Sequence, residues 1–80
     1  MDRKKAYIRN DDKIKALGQR IRHFRKKAGM TMQEVADLSD IEYSQLSRIE
    51  RGIINTSLSN IFAISEAIGI SSKEFFDTID

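Results

Sequence analysis

Apolar residues recur along this chain at steps of three and four, the spacing of one helical face, while the alternation of a strand is weak throughout. The pattern predicts a first helix over about 12–28. Ile14, Leu17, Ile21, Phe24 and Ala28 form its stripe, and Arg25 lies beside that stripe. Asn10, Asp11 and Asp12 precede it as candidate caps, and the acids suit the positive end of a helix dipole. Lys26, Lys27 and then Gly29 mark its end.

The next stretch, Thr31 to Gly52, reads as two short helices joined by a tight turn. Thr31-Met32-Gln33-Glu34 has the spacing of a capping box, with Met30 and Val35 placed as a hydrophobic staple. Val35, Ala36 and Leu38 supply the apolar face of the second helix. Ser39-Asp40 breaks the pattern, and a new one starts at Ile41. Leu46 and Ile49 share the inner face of a third helix, about 42–51. Tyr43, Ser44, Ser47, Arg48 and Arg51 fall on its other face, and Gly52 stands where a left-handed cap is expected. A short helix that buries two aliphatics and shows water a row of hydrogen-bonding groups meets the requirement for reading a major groove.

Ile53 to Thr56 form a loop, and Ser57 caps a fourth helix whose period runs Leu58, Ile61, Ile64, Ala67, Ile68. Phe62 falls off that stripe and is assigned to the core edge, a partner-facing position being the alternative. Gly69 stops the helix. Ser71-Ser72-Lys73-Glu74 reads as a second capping box, opening a short fifth helix anchored by Phe75 and Phe76. The expected fold is a single all-α domain over 12–80, preceded by a basic, flexible arm over 1–11. The arm carries Arg3, Lys4, Lys5 and Arg9, and polybasic segments bind phosphates without sequence preference.

Composition narrows the function. A chain of 80 residues buries only a modest core. The absence of cysteine excludes disulfides and thiolate metal sites and fits a reducing cytoplasm. No apolar run approaches the ~20 residues of a membrane helix, and the first residues lack the apolar region of a signal peptide. Net charge is +2, yet residues 1–30 carry eleven Lys and Arg against three acids, and residues 31–80 carry three against nine. That asymmetry is either a solvated basic face or a footprint for a polyanion. One histidine (His23), no glycine-rich phosphate loop and scattered acids leave no basis for an enzyme, a metal site or a cofactor.

The order of these features resembles the Cro/cI-type helix-turn-helix superfamily, also called the XRE family. The resemblance runs from LGQRIRHFRKKAGMTMQEVADLSDIEYSQLSRIERG to NTSLSNIFAISEAIGISSKEFF, about three quarters of the chain. It implies a five-helix, lambda-repressor-like fold with the helix-turn-helix at helices 2 and 3. It implies a sequence-specific regulator of transcription, a repressor type in a bacterial or phage cytoplasm, binding double-stranded DNA as a homodimer. The half-sites would lie about one DNA turn (~34 Å) apart. Carried over by position, base contacts fall to Glu42, Tyr43, Ser44, Gln45, Ser47 and Arg48, and phosphate contacts to Thr31, Gln33, Arg51 and Asn55. Arg25 and Glu50 match a structural ion pair between helices 1 and 3. Phe75, Phe76 and Ile79 are the expected dimer interface, with the monomer core as the competing place for the phenylalanines. No membrane or small-molecule ligand is expected. The alternative function is an antitoxin-like module that binds a protein partner on the same fold.

Four positions depart from the family pattern. Met32 replaces a phosphate-contacting glutamine, Asp40 a turn glycine, Glu42 a serine or threonine cap, and Thr56 a frequent proline. Aspartate tolerates the left-handed conformation better than most residues, so the turn is expected to survive at Asp40 with some strain.

Overall fold

In the computed structural model, which describes residues 10–77, each predicted helix forms. They are α1 (Asp11–Lys27), α2 (Met32–Ser39), α3 (Tyr43–Glu50), α4 (Leu58–Ile68) and α5 (Lys73–Phe76). No strand occurs among the described residues. Periodicity turns directly into packing. Ile21 of α1, Val35 and Ala36 of α2, Leu46 and Ile49 of α3, Ile61, Ile64 and Ile68 of α4, and Phe75 of α5 join Ile41 in one buried core. Each large aliphatic removed from water contributes about 1.5–3 kcal/mol. Ser39 is buried among them because its hydroxyl donates to the Val35 carbonyl at 2.7 Å.

The helix ends explain why the elements stop where they do. The Thr31–Glu34 capping box forms in both directions: the Glu34 amide donates to Thr31 Oγ1 at 3.0 Å, and the Thr31 amide donates to Glu34 Oε1 at 2.8 Å. Ser57 Oγ accepts from the Asn60 amide at 3.1 Å at the start of α4. α3 closes on a Schellman motif: the Ile53 amide donates to the Arg48 carbonyl and the Gly52 amide to that of Ile49. Gly52 adopts φ 72°, and a β-carbon there would lie 2.5 Å from Lys15 Cα. The turn between α2 and α3 passes through Asp40 in the left-handed region, φ 59° and ψ 37°, where the family pattern has glycine.

One close approach sets how α1 lies on α3. A β-carbon on Gly18 would sit 2.5 Å from the Ile49 carbonyl oxygen and 2.6 Å from that of Glu50. A glycine inside a helix costs about 1 kcal/mol relative to alanine, so here it serves the packing.

Several expectations are corrected. α1 runs one residue earlier at each end than 12–28; Asn10 occupies its N-cap without a side-chain bond, and Ala28 is an exposed C-cap. Leu38 (67% exposed), Leu58 (65%) and Phe62 (48%) face outward. They sit on the rims of their stripes, where no neighbouring helix covers them. The second capping box does not form. Ser71 Oγ accepts from the Lys73 amide instead, and the Glu74 amide donates to the Ser71 carbonyl at 3.0 Å. Phe75 is fully buried, so it belongs to the core and not to a dimer interface. The arm over 1–9 and Ile79 lie outside the described residues.

Gly18→Ala is expected to destabilise the domain by about 2–3 kcal/mol in urea unfolding, against the helix propensity of alanine, because only backbone can give way. Thr31→Ala should lose about 1 kcal/mol by the same measurement. A Gly18→Ala protein as stable as the parent would contradict the close packing of α1 on α3.

Candidate nucleic-acid interface

Beneath the outward face of α3 lies a buried ion pair. Arg25 Nε donates to Glu50 Oε2 at 2.7 Å and Arg25 Nη2 to Glu50 Oε1 at 3.0 Å, a fork that uses both carboxylate oxygens. The remaining nitrogen, Nη1, donates to the Met30 carbonyl at 2.9 Å. Both side chains are almost wholly withdrawn from solvent. The pair ties the end of α1, the residue before the α2 cap and the end of α3 at one point. It therefore fixes the height and rotation of α3 on the body of the domain.

The opposite face of α3 is open. Glu42 holds the N-cap position in an extended conformation and makes no cap bond with its side chain. Glu42, Tyr43, Ser44 and Arg48 are exposed, and Gln45 and Ser47 are half-buried. Tyr43 keeps 46% of its surface in water. None of these six side chains enters a hydrogen bond among the described residues. Arg51 also lies in solvent, its Nε donating to the Ser47 carbonyl at 3.3 Å.

Two further places flank this face. At the start of α2, Thr31 and Glu34 satisfy each other, which leaves the amides of Met32 and Gln33 without an intrahelical partner. The Gln33 side chain donates to Asp37 Oδ1 at 2.9 Å, an exposed bond that competes with any outside partner. Met32 turns towards the core and packs against it, which is why it cannot replace the polar contact of a glutamine. Asn55 is exposed in the loop before α4, and Thr56 Oγ1 beside it accepts from Asn60 Nδ2 at 2.9 Å. No cluster of three or more potential metal ligands occurs among the described residues, and no described helix is long and apolar enough to cross a membrane. His23 sits edge-on to Phe24 at 5.0 Å on the surface.

Sequence reasoning overlooked two residues: Gly18, which lets α1 reach α3 behind this face, and Arg20, which stacks over Phe24 and bonds to α5 away from it. The first had a signal, a glycine in the middle of a strongly periodic helix. The second had none, being one cation among many.

A short helix held at one end by a buried ion pair, preceded by a capped helix and a tight turn, defines the helix-turn-helix class of DNA-binding proteins. The HTH_3 helix-turn-helix family model matches residues 21–75, more than half of the chain, and the chain belongs to this family of Cro/cI-type (XRE) transcriptional regulators. It is 39% identical over 61 residues to control protein C.BamHI of Bacillus amyloliquefaciens, covering 75% of each chain. It is also 39% identical over 54 residues to the immunity repressor protein of Bacillus phage phi105, covering 68% of this chain and 38% of that one. Among solved structures, the restriction-modification controller C.AhdI of Aeromonas hydrophila superposes with a TM-score of 0.76 at 35% identity, over 81% of this chain and 97% of that one. The family consists of transcriptional regulators and not of enzymes.

Glu50→Ala, which strands the Arg25 guanidinium in the core, is expected to cost about 3–5 kcal/mol in chemical denaturation. The double replacement Arg25→Met with Glu50→Leu should cost much less, because it leaves no buried charge unpaired. Equal losses in the two proteins would show that the pair is not desolvated as described.

Proposed function

We propose that two copies of this chain bind a pseudo-palindromic operator, each placing α3 in the major groove of one half-site. The observation that carries this reading is the uncommitted row on α3, held rigidly from below by Arg25 and Glu50. Arg48 pairs with a guanine edge, its guanidinium matching O6 and N7 together. Tyr43 touches a thymine methyl or stacks, while Ser44, Gln45 and Ser47 offer hydrogen bonds to neighbouring bases. Glu42, free of any cap duty, accepts from cytosine N4 or repels a non-cognate base.

Phosphates are held on either side. The Met32 and Gln33 amides, with Thr31, receive one at the positive end of α2. Arg51 and Asn55 receive others. These contacts supply affinity and register but carry no sequence information. The second copy docks through an apolar face built from Phe76 (42% exposed), Leu58 and Phe62. Phe76 and Leu58 also line a cleft of about 160 Å³ with Ile14, Leu17 and Ile54, so the face continues across α1 and the loop before α4. Pairing two domains supplies the contacts that a single small reading head lacks.

Random-oligonucleotide selection at moderate salt is expected to return a motif with two related half-sites about one helical turn apart. No enriched motif would end the reading. Arg48→Ala should weaken binding to the selected site by roughly 10- to 100-fold and relax one base position, with the thermal unfolding curve unchanged.

A further inference from the structure

Arg20 stands apart from the other cations of α1. It is half-buried, and its guanidinium lies 4.8 Å above the centre of the Phe24 ring. Its Nη2 donates to the Glu74 carbonyl of α5 at 3.0 Å, across 54 positions of sequence. Its Nε is buried without an acceptor among the described residues. A cation placed this way is not presented to a phosphate. It is directed into the junction between α1 and α5.

α5 needs such a support. It has four residues, and its N-cap residue, Ser72, makes no side-chain bond, which leaves only the long Ser71 Oγ contact with the Lys73 amide at 3.3 Å. A helix so short does not hold its own shape, and its orientation comes from tertiary contacts. Phe75 supplies one of these, fully buried with its ring 6.1 Å from that of Phe24. A single buried side chain sets the depth of a short segment but leaves it free to turn about that anchor. The Arg20 bond to the Glu74 carbonyl supplies a second fixed point, one residue before the anchor. Phe24 joins the two, with Arg20 on its face and Phe75 beside it. With both points fixed, the residue after Phe75 is directed outward, and that residue is Phe76.

We infer that Arg20 is a positioning residue for dimerisation: it locks the rotation of α5 and so presents Phe76 to a second copy of the chain. This rests on the reading that Phe76 belongs to the interface between copies. Arg20 then acts on operator affinity through assembly and not through contact with the nucleic acid.

The test uses the full chain as Arg20→Met, Arg20→Lys and Phe76→Ala, with sedimentation equilibrium, half-site binding and amide hydrogen exchange. Methionine keeps the apolar stem over Phe24 and removes the donor. Arg20→Met should raise the dimer dissociation constant by roughly 10- to 100-fold, because each of the two protomers loses the bond that holds α5 in the competent orientation. Exchange at the Glu74 and Phe75 amides should quicken while α1–α4 keep their protection, and half-site affinity should stay as in the parent. Arg20→Lys should recover most of the loss. If Arg20→Met dimerises like the parent while Phe76→Ala does not, the role of Arg20 is refuted and the interface stands. If Phe76→Ala itself dimerises normally, the interface reading is what fails. Faster exchange throughout α1–α4 in Arg20→Met would make Arg20 a general support of the fold and overturn the inference.

Discussion

The outward face of α3 depends on two charges that face inward. Arg25 and Glu50 lie 25 positions apart and meet where α1, the lead-in to α2 and α3 converge. Taking both from water carries a penalty, and the forked geometry with a third bond to the Met30 carbonyl is what offsets it. A pair of apolar side chains could fill the same volume without fixing an angle. The fork does fix one, because a planar guanidinium donates to its partners in few orientations. Gly18 then allows α1 to close on the α3 carbonyls next to that pair. Orientation and distance are thus set by separate devices.

The charge asymmetry takes on a different meaning once the fold is known. Of the cations in the first thirty residues, Arg25 is consumed internally and Arg20 is turned against α5. The α2–α3 turn, by contrast, brings Asp37, Asp40 and Glu42 around one shallow depression beside α3. An acidic rim of this kind repels a polyanion that does not offer compensating contacts.

Much of this was legible before any coordinates. The stripes gave five helices, and the caps at Thr31 and Ser57 formed as their spacing required. Left-handed Asp40 was also readable, because few side chains other than glycine fit that turn. What periodicity could not say is which neighbour covers the edge of a stripe. Leu38 and Leu58 have the right phase within their own helices, and Phe62 lies just off its stripe, yet all three face water, because exposure is a property of the assembly of helices. For the same reason adjacent phenylalanines divide, Phe75 to the core and Phe76 to the surface. The pairing of Arg20 with a carbonyl 54 positions away has no local signature at all. The reading face is a mixed case: its residue identities came from position in the motif, whereas its freedom from internal bonds required the structure.

That freedom has a consequence for how such a domain can change. The side chains of Glu42, Tyr43, Ser44, Gln45, Ser47 and Arg48 contribute no hydrogen bond to the helix that displays them. α3 is kept in place by Leu46, Ile49, Glu50 and the turn at Gly52. Inward positions therefore carry the stability of α3, and outward ones can be exchanged without loosening it. Many outward combinations are thus compatible with one unchanging frame, each reached by single substitutions that leave the domain folded.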